Sequence, residues 1–321
     1  MRRFFQTLLT LLMLLLVGGA SLFFWLEHHL SQKVEVPKVL YIPKGSTKAA
    51  LEYVSRHYTP LSKIDGYLIK LYGYPQAGWI ETGGGEITLS EFFQKLTHAK
   101  AALKGVTLVP GETTVIILDQ LADTFDLNRT KLEEIYRQRT SIEEGLLFPE
   151  TYQIPVGIDE EGIVDYLYRQ SMANHTRLSH KYLKHFDEKE WFGTIVTTAS
   201  VIQKEAASER EMPLVSAVIR NRLKKGMKLQ MDGTLNYGRY SHQKVTPRRI
   251  REDVTKFNTY KYTGLPESPV CIVSETAIKA ALKPADVDYL YFVRGRDGKH
   301  HFSKRYKSHL HQIQKLKNGK N

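Results

Sequence analysis

The N-terminal stretch of the chain is the feature that most constrains its fold. From Phe4 to Leu26 the sequence carries no charged residue. At about 1.5 Å of rise per residue, a helix of this length crosses a hydrocarbon core about 30 Å thick. We therefore interpret residues 4–26 as a transmembrane helix, which leaves the remaining chain to fold outside the hydrocarbon.

A cleaved signal peptide is the alternative interpretation of this stretch, because Arg2 and Arg3 form a basic start and residues 18–20 are small. The apolar run continues beyond these small residues, and its length favours an uncleaved anchor. Basic residues precede the span and Glu27 follows it directly. The positive-inside rule then predicts a cytoplasmic N-terminus, residues 1–3, and an extracytoplasmic remainder.

Composition narrows the classes of partner and chemistry. Lys and Arg number 46 against 34 Asp and Glu, which gives a formal net charge of +12 and favours anionic surroundings. The basic residues are dispersed and the chain is expected to face away from nucleic acid, so we expect no nucleic-acid partner. A single cysteine, Cys271, excludes an intrachain disulfide, and no HExxH pair occurs. We expect neither a metal nor a cofactor.

The order of predicted elements indicates an α+β protein rather than a doubly wound sheet. Residues 34–41 resemble a strand, and residues 43–46 supply a turn before a helix. Thr88-Leu89-Ser90-Glu91 is a capping-box pattern that predicts the start of another helix. We assign residues 27–104 to a small strand-and-helix domain and residues 105–321 to a larger mixed α/β domain.

Within the larger domain, periodicity predicts four further helices and a late hairpin. The helices are expected around residues 131–137, 162–174, 194–208 and 213–224. Strands at 289–293 and 300–303 flank a turn at 296–298. The tail from His309 onward is basic and polar, and we expect it to be frayed.

The predicted helix 194–208 contains the strongest catalytic candidate, Glu205. On a helical wheel its side chain lies at the border of a buried stripe, beside Val201 and Ile202. Partial desolvation there would raise the pKa of the carboxyl and make it a proton donor near neutral pH. A surface carboxylate paired with a neighbouring basic residue is the simpler alternative. Glu209 lies nearer the centre of the stripe if the helix continues, so periodicity alone does not choose between the two glutamates.

A polar loop follows Gly226, which is a natural helix stop. Amide, carboxylate, hydroxyl and aromatic groups come close together here, from Gln230, Asp232, Thr234 and Tyr237. This mixture suits a carbohydrate, because polar groups can meet sugar hydroxyls while an aromatic face packs on a sugar ring. An ordinary loop with solvated polar side chains is the alternative.

Several ordered motifs make the chain resemble the MltG (YceG-like) family of endolytic murein transglycosylases. The resemblance covers nearly the whole chain, and the first domain is similar to the LysM-like domain of that family. The motifs are SVIQKE at 200–205 with Glu209-Arg210, NRLKKGMKLQMDGTLNYG at 221–238, EGLLFPETY at 144–152, FNTY at 257–260, GLP at 264–266, and His300, Phe302-Ser303 and His309.

The resemblance implies roles for individual residues. It identifies Glu205 as the catalytic glutamate, because the earlier glutamate of the family motif is Gln203 here. It also makes the larger domain the catalytic one. Two departures concern loops, since Gly233 stands where proline is usual and residues 272–274 replace an Asn-Pro-Gly element. The candidate substrate-binding residues are Asn221, Gln230, Thr234 and Tyr237, with Asp232, Glu150 and Tyr152 as weaker candidates.

The implied reaction is cleavage of the β-1,4 bond between N-acetylmuramic acid (MurNAc) and N-acetylglucosamine (GlcNAc) in nascent glycan strands. It would leave 1,6-anhydro-MurNAc ends and so terminate or trim glycan elongation. A hydrolytic muramidase is one alternative, and it would need Asp232 or Glu150 as a second carboxylate. A non-enzymatic, membrane-anchored peptidoglycan-binding scaffold is the other.

The resemblance also implies a location and partners. We expect a single-pass protein of the bacterial inner membrane whose catalytic domain is extracytoplasmic. The expected partners are glycan strands, the membrane itself and peptidoglycan synthases.

Overall fold

A computed structural model of the chain describes residues 2–319. Contacts divide the chain into two compact units, the first made of Met1–Lys104 with Gln153–Ile158 and the second of Gly105–Tyr152 with Asp159–Asn321. Met1, at the predicted cytoplasmic terminus, and Lys320 and Asn321, at the end of the predicted catalytic domain, lie outside the described residues. The structure is a mixture of helices and small sheets, which confirms the α+β prediction.

The first unit begins with the long apolar helix α1, Arg2–Leu30. Within its candidate span Phe4–Leu30, the most apolar 18-residue window has a mean hydropathy of 2.3, and none of that window is buried in the protein. The helix is therefore long and apolar enough to cross a membrane, and it extends four residues beyond the predicted 4–26. A signal sequence near an N-terminus would pass the same test of length and composition.

Four short strands and three helices follow α1 in the first unit. Two antiparallel pairs form, β1 with β4 and β2 with β3. The elements are β1 (Lys33–Val36), β2 (Val39–Ile42), α2 (Thr47–His57), α3 (Asp65–Leu68) with a 3-10 turn at Ile69–Leu71, β3 (Gly78–Glu81), β4 (Gly85–Thr88) and α4 (Leu89–His98).

The strand predicted at 34–41 was wrong in one respect, because the structure divides it into β1 and β2. Pro37 stands between them and has no N–H to donate to a ladder, so one continuous strand cannot form. Both strands contribute to the core of the unit, where Leu40, Ile80, Phe92 and Phe93 are fully buried.

The second unit is mainly helical. Its helices are α5 (Thr114–Phe125), α6 (Arg129–Arg139), α7 (Glu160–Leu183), α8 (Glu188–Glu190), α9 (Thr197–Glu205), α10 (Met212–Lys224), α11 (Pro247–Glu252), α12 (Glu275–Leu282) and α13 (Tyr306–Lys317). Strands β5 (Leu103–Thr107) and β6 (Thr151–Pro155) lie where the chain passes between the two units, and β7 (Tyr291–Arg294) and β8 (His300–Ser303) form a two-stranded sheet within the second unit. The antiparallel β7–β8 pair confirms the late hairpin.

Two helix predictions in this unit need correction. The segment predicted as one helix at 194–208 begins as a π-helical turn, Trp191–Val196, and continues as α9 only to Glu205. Ala206 has extended backbone angles, which ends the helix. The tail expected to be frayed forms α13, because it packs on the β7–β8 hairpin: His309 stacks on Tyr291 with ring centroids 5.4 Å apart.

The capping box predicted at Thr88 is present. The Thr88 hydroxyl accepts from the Glu91 N–H at 3.2 Å, and the Glu91 carboxylate accepts from the Thr88 N–H at 3.0 Å. Both bonds satisfy donors that the first turn of α4 would otherwise leave without partners.

Thr88→Ala removes one of these two bonds and should destabilise α4 by about 1 kcal/mol. Hydrogen exchange of the α4 amides in the full chain measures the effect as faster exchange of the first turn. Thr130→Ala is the matched control, because Thr130 is exposed on α6. Equal exchange of α4 in the two variants would contradict a stabilising role for the box.

Candidate active site

Glu205 is the last residue of α9, which packs against α10 and α12. Val201 and Ile202 on the same helix are fully buried, and Glu205 is half-buried at their edge. Glu209 lies on the following 3-10 turn and is exposed, because the helix ends before it. Of the two glutamates that periodicity could not separate, Glu205 is therefore the one at the core edge.

The surroundings of Glu205 suit a proton donor. Burial raises the pKa of Glu205 to about 7, and the negative charge of Asp232 acts in the same direction. A hydrogen bond from the Gly233 N–H and the positive charge of Arg222 oppose this rise. Near neutral pH the carboxyl can therefore both give and take a proton, as general acid–base catalysis requires.

Gly233 holds the carboxyl in place. Its N–H donates to Glu205 Oε1 over 2.6 Å, from a 3-10 turn formed by Asp232–Leu235. A Cβ at this position would lie 2.6 Å from Lys204 Cβ and 2.8 Å from Glu205 Oε1, so no side chain fits here. Glycine at this position also supplies a backbone N–H donor, which proline would lack.

Asp232 and Tyr260 form the exposed side of the site. The Tyr260 hydroxyl donates to Asp232 Oδ1 over 2.6 Å. Burial raises the pKa of Tyr260, with further contributions from the Asp232 bond and the charges of Asp232 and Glu205. Sequence reasoning did not select Tyr260 for the site, although it closes the FNTY motif.

Thr234 and Gln230 have different positions in the loop. Thr234 is fully buried, and its hydroxyl bonds Met231 O at 2.8 Å and the Thr259 hydroxyl at 3.0 Å. It therefore shapes the loop from inside and does not face a sugar. Gln230 is exposed and has a positive φ of 48°, so its side chain faces solvent from a tight bend.

Tyr237 and Asn221 are both committed to neighbouring protein groups. The Tyr237 ring stacks on Phe257 with centroids 4.3 Å apart, and its hydroxyl donates to Asp253 Oδ2 at 3.0 Å. The Asn221 amide donates to Val287 O at 2.8 Å and to Tyr289 O at 3.0 Å. Asn221 thus holds the segment that precedes β7, with both amide hydrogens in use.

The two weaker candidates from the EGLLFPETY motif bond elsewhere in the unit. Glu150 is exposed and accepts from the Asn174 amide at 3.3 Å. Tyr152 is buried, and its hydroxyl donates to Phe148 O at 2.8 Å. The Tyr152 bond lies within the motif, and the Glu150 bond connects the motif to α7. Both residues therefore have structural contacts here.

Two charged residues near α9 were missed by sequence reasoning. Glu144 is buried and accepts from the Thr114 hydroxyl at 2.8 Å, from the Thr114 N–H at 3.0 Å and from the Gly145 N–H at 3.1 Å. Burial raises the pKa of Glu144 to about 7, although these bonds and the charge of Lys204 lower it. Its position at the start of the EGLLFPETY motif was the available signal.

Arg222 is the second missed residue, and it is nine-tenths buried on α10. Its Nε donates to Leu290 O at 2.7 Å, and its Nη1 donates to Leu229 O. The guanidinium thereby joins α10 to both the active-site loop and the segment before β7. Within residues 2–319, no three His, Cys, Asp or Glu side chains come together as a metal ion would need.

Comparisons with known proteins identify the family of the chain. The model of the YceG-like family matches residues 52–315. A Bacillus subtilis (strain 168) protein named endolytic murein transglycosylase is 28% identical over 344 residues, which cover 96% of this chain and 92% of that protein. A Streptococcus pneumoniae serotype 2 (strain D39) protein of the same name is 28% identical over 186 residues, which cover 55% of this chain and 33% of that protein.

A solved structure supports the fold. The crystal structure of a YceG-like protein from Listeria monocytogenes matches with a TM-score of 0.57 and 24% identity, covering 87% of this chain and 98% of that one. At this identity the likeness shows a shared fold.

Asp232→Asn should lower the pKa of Glu205, because it removes a negative charge that favours the protonated carboxyl. Carboxyl-carbon NMR on the full chain follows the titration, and Glu205→Gln assigns the signal. This assignment is needed because Glu144 also titrates at about 7. Asp123→Asn, at an exposed position on α5, is the control and should leave the midpoint unchanged. The same midpoint in both Asn variants would show that the charge of Asp232 does not act on Glu205.

Proposed function

Since the chain belongs to the YceG-like family, we propose that it is an endolytic lytic transglycosylase that acts on peptidoglycan glycan strands. The observation that carries the proposal is the carboxyl of Glu205, half-buried at the end of α9 with a pKa of about 7 and fixed by the Gly233 N–H. The names of the relatives from Bacillus and Streptococcus support the same reaction class.

The proposed reaction needs a single carboxyl group. Glu205 donates its proton to the oxygen of the β-1,4 bond as the bond from that oxygen to C1 of MurNAc breaks. The resulting carboxylate then accepts the proton of the MurNAc C6 hydroxyl while that oxygen forms a new bond to C1. The products are a free GlcNAc hydroxyl and a 1,6-anhydro-MurNAc end, and Glu205 regains its proton.

The neighbours of Glu205 have separable roles in this proposal. The charge of Asp232 adds to burial in raising the pKa of Glu205, which favours its protonated form before reaction, and its carboxylate suits the positive charge that develops at C1. Tyr260 orients Asp232 through their 2.6 Å hydrogen bond. Gln230, Asp232 and Tyr260 offer polar groups to sugar hydroxyls, whereas Asn221, Thr234 and Tyr237 maintain the shape of the loop.

A hydrolytic muramidase is the alternative reaction, with Asp232 as the second carboxylate because its charge acts directly on Glu205. Glu150 does not fit that role, since its carboxylate accepts a hydrogen bond from Asn174 on α7. A non-catalytic scaffold predicts no strand cleavage by the wild-type protein. The identity of the released ends separates the two reactions.

We also propose the cellular setting. Helix α1 anchors the protein in the inner membrane with a cytoplasmic N-terminus, and residues 27–104, a LysM-like domain, and 105–321, the catalytic domain, are extracytoplasmic. A transglycosylase held beside the membrane encounters newly made glycan strands before it encounters the mature cell wall. Peptidoglycan synthases, which work at the same surface, are the proposed protein partners.

Glu205→Gln should lower the rate of strand cleavage by about 10²- to 10⁴-fold, because glutamine cannot donate the proton. The measurement is release of products from uncrosslinked nascent glycan, with mass analysis of their ends. Glu209→Gln is the matched control: it makes the same change at an exposed position four residues on and should keep wild-type activity.

The products decide between the reactions. Mainly 1,6-anhydro ends are expected from the wild type. Mainly reducing MurNAc ends would replace the proposal with the muramidase, and equal rates for wild type and Glu205→Gln would remove Glu205 from the mechanism.

The cleavage rate should fall as the pH rises above about 7, because Glu205 must be protonated before it can donate. A pH profile of kcat/KM on the same glycan, with folding checked at each pH, measures this limb. The midpoint of this limb should move to lower pH in Asp232→Asn, because the variant lacks the negative charge that raises the pKa of Glu205. A rate that rises steadily through pH 7 would contradict Glu205 as the acid.

A further inference from the structure

An exposed apolar patch lies on the first unit, on α3 and the turn that continues it. Ile64, Tyr67 and Leu71 recur at helical spacing, and Tyr74 follows shortly afterwards. Their exposed fractions are 46%, 72%, 73% and 77%, whereas Ile69 on the opposite side is fully buried. We call these four residues the 64–74 patch. Monomeric soluble surfaces seldom gather so many large apolar side chains at one place.

The patch is held next to the end of α1. His29, in the last turn of α1, lies with Nε2 2.8 Å from Asp65 Oδ1. The other oxygen of Asp65 accepts from the Ser62 N–H at 2.6 Å and from the Ser62 hydroxyl at 2.7 Å. Leu30 also packs against the core of the unit. Ile64 is thus one residue away from a direct contact with α1.

With α1 as the proposed anchor, the contact lies near the outer edge of the lipid headgroup layer. A hydrocarbon core of about 30 Å takes about 20 residues of helix, so an α1 that enters it at Phe4 leaves it near Phe23. His29 then lies roughly 9 Å further along the axis, where the headgroup layer ends. Trp25, whose ring stacks on His29 with centroids 5.3 Å apart, occupies the position typical of an interfacial aromatic belt.

The charges around the patch complement an anionic surface. Lys63 and Lys70 are exposed beside it, and Lys70 Nζ lies 5.6 Å from the centroid of the Tyr67 ring. Asp65 is the only acidic residue between positions 61 and 78, and it is buried against His29. Apolar and aromatic side chains flanked by lysines are the composition of surfaces that bind the membrane interface.

We propose that the 64–74 patch docks on the bilayer surface from which α1 emerges. Its partner is a lipid surface that contains anionic phospholipid, with the apolar side chains at the headgroup boundary and the two lysines among the phosphates. Docking at a second point beside α1 fixes the orientation of the first unit on the membrane. The inference rests on the proposed membrane anchor and is independent of the transglycosylase chemistry.

The test uses the full chain in phosphatidylcholine vesicles with and without phosphatidylglycerol. Cys271 is the single cysteine of the sequence and is buried, so a cysteine introduced at the surface carries an environment-sensitive fluorophore selectively. Labels are placed by Tyr67→Cys and Leu71→Cys in the patch, by Glu52→Cys on the exposed face of α2 as the control, and by Leu14→Cys in α1 as the reference for insertion.

Both patch labels should shift their emission to shorter wavelength in vesicles, and a lipid-soluble quencher should quench them several-fold more than the Glu52→Cys label. Phosphatidylglycerol should strengthen the shift. In a Tyr74→Cys chain, the added change Tyr67→Ser with Leu71→Ser should abolish the shift of the label, which shows that the patch and not the fluorophore drives docking.

Three outcomes would overturn the inference. If the patch labels stay exposed to solvent while the Leu14→Cys label lies in hydrocarbon, the proposed anchor is supported and the proposed docking is wrong. A Leu14→Cys label that lies outside the hydrocarbon would contradict both the anchor and the docking. Shielding of the patch that appears equally in detergent micelles and depends on protein density would assign the patch to a second copy of the chain.

Discussion

The hydrogen bond from the Gly233 N–H to Glu205 is the interaction on which the candidate site depends. It joins the end of a buried helix to the turn Asp232–Leu235, and it fixes the carboxyl where burial raises its pKa. The contact is possible because position 233 has no side chain to meet Lys204 and Glu205. Around this bond, Thr234 and Thr259 hold the loop from inside, and Arg222 joins it to α10.

Sequence reasoning succeeded where a feature depends on neighbouring residues. The capping box at Thr88 involves residues three positions apart, so its pattern predicted the start of α4 directly. The choice between Glu205 and Glu209 depended instead on where α9 ends, and periodicity contains no information about that end. The resemblance to a family selected Glu205, and the structure supplied the physical reason, namely burial beside Val201 and Ile202.

Features that depend on distant residues were missed. Gly233 and Glu205 are 28 positions apart, as are Tyr260 and Asp232, and no local pattern joins either pair. The tail from His309 onward was expected to be frayed because it is basic and polar, yet it lies in α13 because Tyr291 and the hairpin provide a surface for it. Thr234 was expected to meet a sugar, but the closure of the loop on Thr259 buries it.

The raised pKa of Glu205 links the proposed catalysis to the stability of the fold. An unfolded glutamate titrates near 4.5, whereas Glu205 titrates at about 7, so between these values the folded chain binds more protons than the unfolded chain. This carboxyl therefore stabilises the fold most at acidic pH, and its contribution is lost as the pH rises towards and through 7. The contribution of Glu144 to stability depends on pH in the same direction, because burial raises its pKa as well. The hydrogen bonds from Gly233 and Thr114 oppose this loss because they favour the carboxylates. Each of the two glutamates therefore has a donor that limits its destabilising effect at neutral pH.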